Sequence, residues 1–181
     1  LNISVSGSSY VLVYDGTLSS TVTPTLTGTL ASGDVGVYSQ TYDTKNQGTN
    51  KVLTPTATIL DATNASMIGN YSITYTSVNT GVIEKLPITL TANTNTKVYD
   101  GTVSATATPT LTGSLASGDV GTYSETYDTK VQGTSKVLTP SATILDATSA
   151  SVIGNYSITY ATNTSGVITK LPITLTASTN T

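Results

Sequence analysis

The sequence predicts an all-β protein made of tandem immunoglobulin-like antiparallel β-sandwich domains. Three observations predict this: the chain repeats itself, apolar residues alternate with Thr, and turn signals divide each repeat into about seven short segments. We expect one sandwich over residues 1–85 and a second over 86–170. Residues 171–181 are expected to be the first strand of a truncated third repeat.

The internal repeat keeps a constant spacing of 85 residues. Tyr-Asp-Gly occurs at 14–16 and 99–101, Gly-Asp-Val-Gly at 33–36 and 118–121, and Gly-Asn-Tyr at 69–71 and 154–156. Leu-Pro-Ile-Thr at 86–89 returns at 171–174. Solenoid units run roughly 20–50 residues, so repeats of this length indicate whole domains. Because a third copy opens at residue 171 and the chain stops inside it, we expect the chain to be an excerpt of a longer protein.

Period-2 alternation defines the strands of each repeat. In residues 53–59 the odd positions are Leu, Pro, Ala and Ile, while every even position is Thr. This pattern is typical of a strand with one buried and one wet face, as in antiparallel sheets. Pro24 and Pro55 cannot donate to a ladder, so their strands are expected to be edges or bulged. In the first repeat we expect strands near 3–6, 10–14, 19–29, 35–42, 51–60, 71–76 and 81–85.

Composition excludes several classes of function. The chain has no Cys or His, so it has no thiolate or imidazole for catalysis or metal binding. All seven basic residues are Lys, and the net charge is −3. Because binding to phosphates requires clustered cations, nucleic acid and anionic membrane are disfavoured as partners. No apolar run reaches the roughly 18 residues of a membrane span, so we expect no membrane insertion of this segment.

The acidic residues argue against an enzyme. Each repeat has four Asp in separate turns, but its single Glu is Glu84 in one copy and Glu125 in the other. Paired-carboxylate catalysis needs two acids that meet, and an active site should not lose one between similar copies. Asp34 and Asp119 each lack a second nearby carboxylate, so calcium is disfavoured. We expect no catalytic, cofactor-binding or metal-binding residues and no cofactor.

The order of these motifs carries a family resemblance. Lys-Val-Tyr-Asp-Gly-Thr at 97–102, Ser-Gly-Asp-Val at 117–120, Gly-Asn-Tyr-Ser-Ile at 154–158 and Gly-Val-Ile-Thr-Lys at 166–170 resemble the YDG domain and the related MBG domain. Such domains are tandem repeats of very large secreted bacterial proteins, many of them similar to filamentous-haemagglutinin-type adhesins. The first copy departs from the pattern at residues 7–13. The resemblance implies surface display, adhesion or matrix building, and it supplies no catalytic residues.

We select two sets of residues as candidates for structural roles. Asp-Gly favours a turn, with the preceding Tyr packed, although Tyr beside Asp would also suit a sugar platform. The Tyr of Gly-Asn-Tyr resembles a tyrosine corner, with its hydroxyl bonded to backbone near Asp61 or Asp146. The motif residues are Tyr14, Asp15, Gly16, Asn70 and Tyr71 in the first repeat, and Tyr99, Asp100, Gly101, Asn155 and Tyr156 in the second. The inter-repeat junctions are Leu86, Pro87, Leu171 and Pro172.

The predicted function is that of a stalk or spacer in a secreted or cell-surface bacterial adhesin or extracellular fibre. Neighbouring repeats of the same protein are the expected partners. Two alternatives remain open: a filament subunit that self-associates by strand donation, and a module that binds host or matrix glycans through exposed Tyr and Asp. A Lys–Asn isopeptide bond at Lys51 or Lys97 is a further, weaker possibility.

Overall fold

The structure, a computed structural model, describes residues 1–178. Within this range the fold is all-β, with fourteen strands, two 3₁₀ turns of three residues each and no α-helix. No helix in this part of the chain has the length and apolar character needed to cross a membrane. The predicted all-β class is therefore confirmed.

The first repeat contains seven strands and one 3₁₀ turn at Ile68–Asn70. Its strands are β1 (Asn2–Ser6), β2 (Val11–Val13), β3 (Thr25–Thr27), β4 (Val35–Tyr42), β5 (Gly48–Leu60), β6 (Ser72–Thr76) and β7 (Val78–Glu84).

The second repeat contains the same series of strands, with its 3₁₀ turn at Ile153–Asn155. Its strands are β8 (Leu86–Thr91), β9 (Thr96–Val98), β10 (Thr110–Thr112), β11 (Val120–Tyr127), β12 (Gly133–Leu145), β13 (Tyr156–Ala161) and β14 (Asn163–Thr169).

The chain divides into two compact units. Unit 1 contains residues 1–86 together with two short segments, 116–119 and 154–156. Unit 2 contains residues 87–115, 120–153 and the described residues from 157 onward. The division in sequence near residue 86 falls where β7 ends and β8 begins, with Lys85 alone between the two strands.

Unit 1 holds a three-stranded sheet of order β3-β1-β6 and a four-stranded sheet of order β2-β7-β5-β4. The pairing is mixed, because β1 with β6 and β2 with β7 are parallel. The prediction of purely antiparallel sheets was wrong in this respect. Alternation shows which face of a strand is buried, but it does not show the direction of a partner that lies far away in sequence.

The alternation itself is confirmed in the longest strand. In β5, Leu53 and Ile59 are fully buried, while the three Thr residues between them are exposed. Ile3 from the three-stranded sheet and Ile59 from the four-stranded sheet share one buried cluster with Tyr71. The core of unit 1 therefore draws side chains from both of its sheets.

The two strands expected to contain proline differ in length and in position. The strand expected at 19–29 is only β3, Thr25–Thr27, because Pro24 precedes it and Gly28 follows with φ +105°. β3 is an edge strand, as expected. β5 is an interior strand, flanked by β4 and β7, and its register with β7 shifts between Gly48 and Leu53, in line with the bulged alternative. Pro55 is accommodated because it pairs with Gln40 of β4, whereas the register with β7 ends at Leu53.

Unit 2 repeats this arrangement with sheets of order β10-β8-β13 and β11-β12-β14-β9. Its β11–β12 register matches that of β4–β5, each residue 85 positions later. Tyr127, Leu138 and Ile168 are buried together with Ala92 in its core. The strand bounds of the two repeats thus agree closely, as their sequences require.

The strand expected at 171–181 is absent from residues 171–178, and residues 179–181 lie outside the described residues. Ile173 and Leu175 are 87% and 98% exposed. In the other two copies the corresponding strands, β1 and β8, are central strands with a neighbour on each side. Residues 171–178 pair with no strand in the described structure, and this explains the difference.

Candidate functional site

Each Tyr-Asp-Gly motif forms a tight turn closed by its Asp. In the first repeat, Asp15 Oδ1 accepts hydrogen bonds from the backbone N of Thr17 at 2.8 Å and from its hydroxyl at 2.9 Å. Asp100 makes the same two bonds to Thr102, both at 2.9 Å. The Gly that follows each Asp has a positive φ, which favours glycine. The carboxylate of each motif is therefore used to hold its own backbone.

The Tyr of each Gly-Asn-Tyr motif ties together two loops. The Tyr71 hydroxyl accepts a hydrogen bond from the Ala31 N–H at 2.8 Å and donates to Asp34 Oδ2 at 2.7 Å. Its ring is 9% exposed. The bond to backbone is present, but the expected partner near Asp61 was wrong. Asp61 accepts bonds from Thr63 and Ala65 in its own turn, and these bonds lower its pKa.

The equivalent Tyr156 is bound in the same way and is more deeply buried. Its hydroxyl accepts from the Ala116 N–H at 3.0 Å and donates to Asp119 Oδ2 at 2.7 Å. Its partner is likewise not near Asp146. Burial, followed by the bond to Asp119, raises the pKa of the Tyr156 hydroxyl far above its usual value. The hydroxyl thus stays protonated at neutral pH and serves as a hydrogen-bond donor rather than as a base.

Tyr14 and Tyr99 occupy equivalent sequence positions but have different surroundings. In unit 1 the Tyr14 ring is 1% exposed, and its hydroxyl donates to Asp119 Oδ2 at 2.9 Å. The ring lies edge-on to Tyr156, with centroids 5.6 Å apart. Tyr99 is 38% exposed. The structure thus brings Tyr14 and Tyr156 together, and it leaves Tyr99 at the surface.

Asn155 and Asn70 show the same contrast. The Asn155 side chain accepts from the Gln47 N–H at 3.0 Å and donates to Asn46 Oδ1 at 3.0 Å, all within unit 1. It is 5% exposed, whereas Asn70 is exposed. One copy of each of these motif residues is therefore used in packing, while the other is accessible.

The junction residues differ between the two copies. Leu86 begins β8, and Pro87 lies in that strand with its side chain exposed. Leu171 and Pro172 are exposed and lie in no strand.

A buried polar position was missed by the sequence analysis. Gln40 in β4 is 1% exposed, and its amide bonds to both the N–H and the carbonyl of Ser8, each at 2.8 Å. Its counterpart Glu125 is also 1% exposed, and among the described residues its carboxylate accepts from the Asn93 N–H alone, at 2.8 Å. The signal was available, because Gln40 occupies an inward position between Tyr38 and Tyr42 in an alternating strand.

Lys97 forms a second polar cluster, in unit 2. Its Nζ donates to Asp100 Oδ1 at 2.8 Å and to the carbonyls of Thr102 and Ser104, and it lies 5.3 Å from the centroid of the Tyr127 ring. The bond from Lys97 is the main cause that lowers the pKa of Asp100 to about 2. Lys51, the other isopeptide candidate, donates to the Thr44 hydroxyl at 2.8 Å.

The polar side chains of these motifs form hydrogen bonds that hold turns and loops of the protein together. The motif Asp15 accepts from an amide of its own turn, and the Tyr71 and Tyr156 hydroxyls donate to Asp residues of other loops. Among residues 1–178, no group of three or more acidic, His or Cys side chains is placed to hold a metal ion.

Comparison with known protein families identifies one segment. Residues 84–165 match the family model of the YDG domain. This match supports a YDG-type domain over residues 84–165. This segment contains the Tyr99 turn, which Asp100 holds by its bonds to Thr102, and the bond between Tyr156 and Asp119. No curated protein matches the chain.

Proposed function

We propose that this chain is a stalk segment of a secreted bacterial adhesin or extracellular fibre protein. Its role is to extend and present a distal region for cell adhesion or matrix formation. One observation carries the proposal: the motif residues shared by both repeats bond to loops of the protein itself. Asp15 and Asp100 close their own turns, while Tyr71 and Tyr156 fasten Asp34 and Asp119.

Within this proposal, each repeat is an immunoglobulin-like sandwich. Seven strands in a three-stranded and a four-stranded sheet match the strand number of such domains. The cluster of Ile3, Ile59 and Tyr71 supports face-to-face packing, because Ile3 and Ile59 come from different sheets. Parallel pairs such as β1–β6 make the strand connections a variant of that architecture.

The junction supports a stiff rather than a flexible connection. A single residue, Lys85, separates β7 from β8, and Pro87 restricts the backbone of Leu86 before it. A Gly/Ser-rich linker would behave as a random coil, and the sequence around residue 86 has none. Repeats joined in this way suit a spacer that must hold a distal region away from a surface.

Three of the four motif tyrosines are buried, all except Tyr99, and this favours a spacer over a glycan-binding module. Tyr14, Tyr71 and Tyr156 are all at most 9% exposed, so they offer no face for stacking on a sugar. Tyr75 and Tyr160, at equivalent positions, are 45% and 44% exposed. A glycan array tests the alternative directly. A glycan-binding module should bind a glycan and lose that binding in the Tyr75→Ala and Tyr160→Ala variants. The stalk proposal expects no such binding.

Small-angle X-ray scattering on the dilute chain tests the stalk itself. A compact protein of this length has a radius of gyration of about 16 Å. A stalk predicts a clearly larger value that stays constant with dilution. A value near that of a compact globule would contradict the proposal.

A further inference from the structure

Unit 2 carries an exposed groove next to its Tyr-Asp-Gly turn. The groove has a volume of about 550 Å³ and is lined by Tyr99, Lys130, Val131, Gln132, Lys170 and Leu171. Tyr99, Val131 and Leu171 are 38%, 60% and 54% exposed. The apolar floor and its two flanking Lys residues therefore lie open on the surface of this unit.

The equivalent surface of unit 1 is occupied. Tyr14, Asn46 and Gln47 stand 85 positions before Tyr99, Val131 and Gln132. Segments 116–119 and 154–156 of unit 1 contact all three: Asp119 accepts from Tyr14, and Asn155 bonds to Asn46 and Gln47. Unit 1 thus shows which loops fit against a Tyr-Asp-Gly turn of this kind.

The fit in unit 1 extends to the backbone. The Ser117 N–H donates to the Asp15 carbonyl at 3.2 Å. A Cβ added at Gly16 would lie 2.5 Å from the Ser117 carbonyl oxygen, so Gly is needed there for close approach. At the equivalent Gly101 an added Cβ would meet no atom of residues 1–178 within 4 Å. The turn in unit 2 thus has the glycine that allows a loop to approach closely, but the space beside this glycine is open in the described structure.

The first repeat carries an accessible copy of the loops that fill this surface. Residues 31–34 and 69–71, here called the tip, correspond to residues 116–119 and 154–156. The tip is held by the same bonds, from the Ala31 N–H to the Tyr71 hydroxyl and from that hydroxyl to Asp34. Asn70 and Ala31 are exposed, whereas their counterparts Asn155 and Ala116 are 5% and 8% exposed.

We propose that the Tyr99 groove is a docking site for the tip of a second copy of this chain. The Tyr99 hydroxyl would donate to Asp34, as Tyr14 donates to Asp119 in unit 1. The Asn70 amide would accept from the Gln132 N–H, as Asn155 accepts from the Gln47 N–H. Lys130 and Lys170 beside the groove complement the charge of Asp34. Because groove and tip are different surfaces of one chain, the contact is head-to-tail and generates open chains of molecules.

The inference adds a partner to the stalk function proposed above and is tested separately from it. Sedimentation velocity at low salt, over chain concentrations on the order of 10 μM to 1 mM, should show concentration-dependent oligomers. Tyr99→Ala and Asn70→Ala should each weaken the association about tenfold, since each removes a central contact. Val131→Glu adds a negative charge to the groove, which offsets the Lys130 and Lys170 charges that complement Asp34, and it should weaken the association without touching the Tyr-Asp-Gly turn.

Matched controls replace exposed residues of the same types outside both surfaces. Tyr160→Ala and Asn79→Ala should associate like the unaltered chain. A chain that stays monomeric over the whole range would overturn the proposal. Association that survives Tyr99→Ala and Asn70→Ala but is lost on removing residues 171–181 would also overturn it, because strand exchange would then be the cause. Neither outcome alters the scattering of the dilute chain, which tests the stalk.

Discussion

The two repeats place different chemistry at the same buried position. In the first repeat the Gln40 amide both donates and accepts, and its Nε2 also bonds to the Ser20 hydroxyl at 3.1 Å. In the second repeat Glu125 Oε1 finds no hydrogen-bond partner among the described residues. Ala105 replaces Ser20 there, so the hydroxyl is lost as well. The backbone is the same, but one copy satisfies its buried polar group and the other does not.

The segments around β2 and its counterpart β9 show the same trend towards polarity in the second repeat. Leu12 of β2 corresponds to Lys97 of β9, and Tyr10 corresponds to Asn95. Asn95 is 7% exposed, and its amide lies within hydrogen-bonding distance, 2.7 Å, of the Tyr127 hydroxyl. The two repeats thus share strand register and buried apolar side chains, while the polar networks around them differ.

Exchanging the buried pair should give the largest effect. Glu125→Gln should stabilise the second repeat by about 1–3 kcal/mol at neutral pH, because it restores a donor where a buried oxygen now lacks a partner. The reciprocal Gln40→Glu should destabilise the first repeat by a similar amount. Hydrogen exchange read by mass spectrometry, peptide by peptide, assigns each change to its repeat. Glu125→Gln without any gain in protection would show that the carboxyl group is already satisfied.

Removing the buried Tyr hydroxyls should give a smaller effect. Tyr71→Phe and Tyr156→Phe should each cost about 0.5–1.5 kcal/mol, the net value of a hydrogen bond. The cost should be greater at Tyr156, which is 3% exposed against 9% for Tyr71. Urea denaturation of the two variants checks the order. Equal costs, or none at Tyr156, would contradict the structural role given to this residue.

The Lys97 cluster should reveal itself in acid. The pKa of Asp100 is about 2, below its usual 3.8, mainly because Lys97 and then Thr102 bond to its carboxylate. Since the folded pKa is lowered, this contribution to stability is present above about pH 4 and is lost as the pH falls towards 2. Lys97→Leu should raise the pKa of Asp100 towards 3.8, as followed by carboxyl-carbon NMR titration.

Lys136→Leu is the control for that titration, because the Lys136 Nζ donates to the Thr129 hydroxyl in a different turn. It should leave the Asp100 titration unchanged. An Asp100 pKa that stays near 2 in Lys97→Leu would mean that the Thr102 bonds alone are sufficient.

Much of the fold could be predicted from the alternation. The expected strand at 35–42 matches β4, and the one at 51–60 lies within β5. What failed depends on distant partners: β1 pairs in parallel with β6, and Tyr71 bonds to Ala31 rather than near Asp61. Aligning the two repeats shows which residues they share, but it does not show which of those residues meet in space.

The candidate site was predicted by residue but not by arrangement. The turns at Asp15 and Asp100 follow from Asp-Gly chemistry, which is local. The difference between buried Tyr14 and exposed Tyr99 could not be predicted, because both stand in the same local sequence. Only the loops that approach from elsewhere in the chain distinguish them.

Single-molecule force spectroscopy on the chain held by its ends tests whether the two repeats form a stalk. A stalk of two equal repeats predicts two unfolding events, each releasing about 85 residues, or about 300 Å of contour length less the folded span. The two events should occur at different forces, and Glu125→Gln should raise the unfolding force of the second repeat. A single event that releases the whole chain, or extension without any force peak, would contradict a stalk of tandem repeats.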